Sequence, residues 1–319
     1  VQTKFLPLQT DERGNSLTTS ALITEGATFF SYYAGADDLS GDYFDYKQLD
    51  KTHYAIIKCD VSGHGVPAAL IMVEVATLFL NAFSSWNMRS LEQGTNLEPV
   101  VGQINDLIES RGFKGRFAAF TLALLDTESG ECWFCNAGDN QVQIYDGAIR
   151  KKRSITLPET PAAGMFSTDL INTKGGYKTI KLTLQKNDVL FLYTDGIEEA
   201  KRTFRDEKCV PVLCDGEANE EMTEERVTKI IETVYARGTY VLKKLHNANP
   251  AEEFTFDFST CTESAEDAIM ALVSIEKVFR MYKPVEAKYG DKVKVDKKID
   301  DFLKLHFKEY GIYCMEKTN

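Results

Sequence analysis

A chain of 319 residues is long enough to bury one large core or two small ones. Its 43% hydrophobic, 11% aromatic and 27% charged residues exclude collagen-like, wholly disordered and membrane-dominated chains. Forty-eight acidic against 37 basic residues leave a net charge of −11, which repels polyanions, argues against nucleic acid as a partner, and suits a site built from carboxylates around cations.

In chain order, Val1 to Pro7 reads as the end of an upstream helix, and Asp11 to Ser20 as a polar turn. Phe29 to Tyr33 predicts a strand, and Gly35 to Asp45 a loop loaded with acids. Tyr54 to Cys59 is an apolar strand ending at Asp60; Ser62 to Gly65 is a glycine-rich turn, and Pro67 opens a buried helix, where a missing N–H costs nothing. Leu97 to Glu109 has helical spacing, and Ala118 to Leu125 with Glu131 to Asn136 flank a hairpin turn. Val142 to Tyr145, Ile180 to Leu184 and Val189 to Tyr193 are further strands, the last stopping at Thr194-Asp195-Gly196. Thr223 caps a predicted helix that Val241, Leu242 and Leu245 continue, Ile269 to Ile275 reads as a last core strand, and Asp296 to Tyr310 as a terminal helix.

Seven cysteines, an odd number in mostly apolar runs, fit reduced thiols and a cytoplasmic setting. Cys132 and Cys135 form a CxxC, but Trp133 and Phe134 between them and the absence of a second pair make them core residues. No run reaches the roughly 18 apolar residues of a spanning helix, since Val66 to Phe83 is broken by Glu74, Thr77 and Asn81. Opening on Val1, with no signal peptide, the chain reads as a piece of something longer, such as the cytoplasmic part of a membrane-anchored protein.

Four acids share one context, each closing an apolar strand or sitting in a tight turn: Asp42 in Ser40-Gly41-Asp42-Tyr43, Asp60 in Cys59-Asp60-Val61-Ser62-Gly63-His64-Gly65, Asp195 in Tyr193-Thr194-Asp195-Gly196, and Asp267 in Ala265-Glu266-Asp267-Ala268. A strand that stops at Asp aims its carboxylate at the sheet rim, and hard divalent cations take such oxygens. Singly, an Asp-Gly pair is a turn and nothing more; four together point to a metal centre.

The run Asp60-Val61-Ser62-Gly63-His64-Gly65-Val66-Pro67-Ala68-Ala69-Leu70 resembles the signature turn and helix of PP2C-type (PPM) phosphatases of the bacterial RsbU/SpoIIE kind. Gln2 to Pro7, Gly41 to Asp45, Phe117 to Thr121, Asn136-Ala137-Gly138 and Lys186 through Ala200 resemble further family motifs in the same order, over residues 1 to about 277. The resemblance implies an α+β fold, an αββα four-layer sandwich with two central antiparallel sheets. It implies two divalent cations, Mn²⁺ or Mg²⁺, with Asp60 bridging both, the Val61 carbonyl on one, Asp195 and Asp267 on the other, and Asp42 binding directly or through water. It further implies hydrolysis of phosphoserine or phosphothreonine on a protein substrate, a STAS-type anti-sigma-factor antagonist in a partner-switching pathway, under an upstream sensor domain whose connecting helix is able to dimerise. The corresponding division is 1–20 as linker, 21–277 as phosphatase domain with a variable insert at about 203–262, and 278–319 as a partly helical extension.

Departures accompany the resemblance. Asp139 stands where the family usually has histidine, and the last motif reads Glu266-Asp267-Ala268-Ile269 in place of Asp-Asp-x-Thr, which leaves Glu266 as the fallback ligand. His64 is a candidate general acid for the leaving seryl oxygen, or else an ordinary loop residue. Gly63-His64-Gly65-Val66-Pro67-Ala68 also fits a dinucleotide-binding G-x-G-x-x-A, but Asp60 would repel a pyrophosphate and no second-strand acid follows. The rival from another class is a catalytically degenerate module that senses or scaffolds.

Overall fold

Burial alternates along His53–Val61 and so divides that strand into two faces. Ala55, Ile57, Cys59 and Val61 are buried on one face. The other carries Tyr54, Ile56, Lys58 and Asp60, apolar at its start and polar at its end. The computed structural model describes residues 2–35, 39–113, 115–204, 206, 210–243, 253–280, 293–310 and 315–317.

The chain divides into two compact units. One comprises the residues up to Ile149 with Arg153–Thr194, the other Arg150–Lys152 with the residues from Asp195 onward. After a 3-10 turn at Gln2–Phe5, the first unit begins with a hairpin of β1 (Thr19–Ile23) and β2 (Thr28–Tyr32). Next come β3 (Tyr43–Gln48), β4 (His53–Val61), α1 (Gly65–Ala82), α2 (Glu98–Arg111), β5 (Ala118–Asp126), β6 (Glu131–Ala137), β7 (Gln141–Asp146), β8 (Lys151–Thr156), α3 (Thr168–Thr173), β9 (Ile180–Thr183) and β10 (Val189–Phe191). A five-stranded sheet runs in the order β3-β4-β5-β6-β9, every pair antiparallel. A three-stranded sheet runs β10-β7-β8.

Two cores hold this unit. On one face of the large sheet, Ala55, Ile57, Phe120 and Leu122 pack with Ile71, Val75 and Phe79 of α1 and with Val101 and Ile104 of α2. On the other, Ala123, Leu125, Cys132 and Phe134 pack with Val142, Leu157 and Leu190. The layering is helix, sheet, sheet, and each large side chain removed from water contributes roughly 1.5–3 kcal/mol. The buried Cys132 and Cys135 are core residues, as their strand setting predicts. α1 is 18 residues long and apolar enough overall to match a bilayer span, which corrects the expectation that its polar residues break it, but Ala68, Ile71, Met72, Val75, Ala76 and Phe79 face the core.

The second unit contains β11 (Lys201–Thr203), β12 (Asn219–Glu221), α4 (Thr223–Tyr235), β13 (Thr239–Lys243), β14 (Glu253–Asp257), α5 (Ala265–Arg280), β15 (Val293–Val295), α6 (Lys297–His306) and β16 (Met315–Lys317). β11 pairs with β12 and β13 with β14, both antiparallel, while β15 and β16 are parallel. Its core gathers Val227, Ile230 and Val234 of α4, Ala271, Ile275 and Phe279 of α5, and Phe256 stacked on Phe307 at 4.7 Å between ring centroids.

The α+β class holds, and three local expectations are corrected. The helix from Thr223 stops at Tyr235: Arg237 takes a positive φ of 51°, Gly238 follows, and the β-forming run Thr239-Tyr240-Val241 pairs as a strand; Leu245 lies outside the described residues. Ile269 to Ile275 is helix within α5, not strand, because an apolar run interrupted only by Ser274 fits a buried helix equally well and Ser264 supplies a start signal. Tyr43–Gln48, partly read as loop, is strand β3; positions 36–38 of that expected loop lie outside the described residues.

Candidate metal centre

The polar end of β4 carries the site. In the β3–β4 ladder Tyr43 pairs with Cys59, so one further step sets Asp42 opposite Asp60 and Gly41 opposite Val61. A Cβ at Gly41 would lie 2.6 Å from the Val61 carbonyl oxygen, so only glycine permits this approach. Side chains directly opposite on antiparallel strands stand about 4.5–5.5 Å apart at Cβ, and two like charges so placed repel. Ser40 steadies the pair: its Oγ donates to Asp42 Oδ2 at 3.0 Å and accepts from the Asp42 N–H at 3.2 Å. Gln2, itself buried, accepts from the Ser40 N–H at 3.1 Å and donates to the Ser40 carbonyl.

Asp139, to which no role was assigned from sequence, joins this face. Thr121 Oγ1 donates to Asp139 Oδ2 at 2.6 Å, and Lys58 Nζ forms an ion pair with the same oxygen at 2.8 Å. Lys58 Nζ also donates to the Tyr193 carbonyl at 3.1 Å. The β4–β5 register explains the meeting, since Lys58 pairs with Thr121 and Asp60 with Ala119. The sequence signal was a lysine two positions before Asp60 and an acid where the family usually has histidine. Burial pushes the Cys59 thiol well above its ordinary value, and the charges of Asp60, Asp42 and Asp139 add to the rise. Three carboxylates thus act on one thiol.

Beyond Val61 the chain turns tightly. Ser62 is tied to Phe117 twice, its N–H donating to the Phe117 carbonyl and its Oγ accepting from the Phe117 N–H, both at 2.9 Å. Arg116 Nη1 donates to the Ser62 carbonyl at 2.6 Å. Gly63 has φ +82°, and a Cβ there would overlap the Arg116 guanidinium. His64, exposed and extended at φ −136°, is the N-cap residue of α1 and makes no side-chain capping bond.

The remaining expected ligands belong to the second unit. Asp195 is exposed and opens a short 3-10 turn, Asp195–Ile197. Asp267 lies in the first turn of α5, where its N–H donates to Ser264 Oγ at 3.1 Å and its Oδ2 accepts from the Thr262 N–H at 2.6 Å and Thr262 Oγ1 at 2.8 Å. These bonds make Asp267 part of the helix start. Glu266, the fallback, forms an ion pair with Lys298 at 3.5 Å.

Among the described residues no three histidine, cysteine or acidic side chains converge in a way that would hold an ion unaided. Within the first unit the β3–β4 register brings Asp42, Asp60 and the Val61 carbonyl to the same end of the sheet, all oxygen donors. That chemistry fits a hard divalent cation, and a cation is what relieves two facing carboxylates.

Comparison with known proteins agrees with the fold. Residues 50–242 match the Stage II sporulation protein E (SpoIIE) family. The chain is similar to the phosphoserine phosphatase RsbP of Bacillus subtilis (strain 168), 27% identical over 187 residues, 57% of this chain and 42% of that one. Similarity to the phosphoserine phosphatase RsbU of the same organism is 26% over 167 residues, 52% of this chain and 45% of that one. The chain therefore spans less than half the length of these two curated relatives. The SiaA-PP2C domain of Pseudomonas aeruginosa shares the fold at a TM-score of 0.54 and 16% identity, covering 88% of this chain and 86% of that one.

Proposed function

We propose, from the premise that the chain belongs to the SpoIIE family, that it is a metal-dependent protein serine/threonine phosphatase of the PP2C type. The observation that carries this reading is Asp42 set opposite Asp60 with the Val61 carbonyl against Gly41. Asp42, Asp60 and that carbonyl would hold divalent cation, Mn²⁺ or Mg²⁺ in a pair; Asp195 and Asp267 are proposed as ligands on the resemblance alone. Bound cations would supply polarisation of the phosphoryl group and a water nucleophile at neutral pH. The facing carboxylates would orient the cations, Ser40 and Gln2 fix Asp42, and His64, exposed beside the turn, is proposed to hand a proton to the leaving seryl oxygen.

The substrate proposed is a phosphoserine or phosphothreonine on a STAS-type anti-sigma-factor antagonist, under control of an upstream sensor domain and with dimerisation through the segment leading into Gln2. The names of the two Bacillus relatives support a phosphoserine substrate. The test is Mn²⁺-dependent hydrolysis of p-nitrophenyl phosphate and of a phosphoserine protein, with Asp60→Asn as control. Hydrolysis that needs the cation and disappears with Asp60→Asn is expected; folded protein inert with every divalent cation overturns the reading. In that case the second reading, a degenerate scaffold, takes its place. Asp267 engaged in the start of α5 is the observation that favours it.

A further inference from the structure

We infer that Arg116 is the residue that grips the substrate's phosphoryl group, an inference that rests on the phosphatase reading and deepens it. The guanidinium lies against the turn that follows Asp60. β4 and β5 stay in register to their ends, Val61 opposite Ala118, and the Ser62–Phe117 bonds carry the pairing one step further. Arg116 therefore stands across from Gly63, where the missing Cβ makes room for its Nη1 to reach the Ser62 carbonyl. Two extended residues span at most about 7 Å, so Arg116 is anchored within a phosphate ester's reach of the backbone at Asp60.

Its charge is unmatched. Half-buried Arg226 and buried Arg202 share Glu220, whereas among the described residues no carboxylate pairs with Arg116. Acidic residues outnumber basic ones in this chain, 48 to 37, so a half-buried arginine without an acid is out of keeping with its composition. One donor is engaged by the Ser62 carbonyl, which fixes the plane of the fork and leaves the others for an anion. A guanidinium fork matches two phosphoryl oxygens at once, and a lysine ammonium does not. The same contact makes Gly63 a requirement of the grip as well as of the turn. The ligand chemistry is a phosphomonoester dianion or its product, inorganic phosphate.

The experiment compares wild type, Arg116→Ala and Arg116→Lys, all loaded with Mn²⁺. Inorganic phosphate binding is read by calorimetry and as competitive inhibition of p-nitrophenyl phosphate hydrolysis, and Mn²⁺ affinity is measured separately. Phosphate should bind Arg116→Ala at least tenfold more weakly, about 1.4 kcal/mol, with Arg116→Lys between the two and Mn²⁺ affinity unchanged within about twofold. KM should rise more than kcat falls. Unchanged phosphate affinity in Arg116→Ala overturns the inference, and so does a parallel loss of Mn²⁺ affinity, which would make Arg116 a brace of the turn. An inert wild type would overturn the phosphatase reading instead, while calorimetry with phosphate would still test Arg116.

Discussion

The two units treat their acidic residues differently. In the first, Asp42 and Asp60 are set opposite each other by strand register, and Asp139 is held nearby by Lys58 and Thr121. In the second, Asp267 serves the start of a helix and Glu266 pairs with a lysine. A ladder forces like charges together and so creates a demand for a cation, whereas a helix start absorbs a carboxylate by supplying it with N–H donors. Equal-looking Asp motifs in a sequence can therefore carry unequal chemistry.

Breaking the comparison at its strongest point gives the largest effect. Asp60→Asn should lower Mn²⁺-dependent hydrolysis by at least about a hundredfold, or 2.7 kcal/mol at the barrier; a loss of less than about tenfold would show that the ladder carboxylates are not the ligands. Next is the half-buried pair beside them. Lys58→Met leaves Asp139 without its cation and should cost about 1–3 kcal/mol in urea unfolding, with Lys58→Met/Asp139→Leu recovering most of it. Equal losses in the single and double variants would count against the pairing.

In the second unit, Asp267→Ala should cost about 1 kcal/mol of stability as a helix-start residue. A stability change near zero with activity abolished would instead assign Asp267 to the metal and erase the contrast between the units. The smallest effect concerns Asp45, buried between Tyr43 and the Tyr46 N–H. Burial raises its carboxyl above the ordinary 3.8, against the lowering effect of those two bonds. The unfolded chain then releases this proton first as pH rises. Stability from Asp45 is complete below the unfolded value and declines toward the raised folded one. The melting temperature of Asp45→Asn relative to wild type should improve as pH rises above the ordinary 3.8; a constant difference would remove burial as the cause.

Much of the first unit was legible because its strands have two different faces. The alternation along Tyr54 to Asp60 and the hairpin at Asp126 to Gly130 each leave one workable arrangement, since a slip of one residue exposes an entire apolar face. The Asp60 to Leu70 turn and helix were legible as a motif. The run Ile269 to Ile275 was not, because without alternation an apolar stretch says buried without saying helix or strand. Asp139 was missed for a related reason: its partner Lys58 lies 81 positions earlier in the chain, and only sheet pairing brings them together.

By itself, the amino-acid sequence determined the α+β class, the family likeness, the buried cysteines and the placing of Asp60 at a strand end, because these follow from local periodicity and turn chemistry. Tertiary structure alone decided that the β3–β4 register sets Asp42 opposite Asp60, that Lys58 neutralises Asp139, that Arg116 lies against Gly63 and that Asp267 braces the start of a helix. The reason is physical: register and side-chain pairing are chosen by contacts between residues far apart in the chain, and no local pattern encodes them.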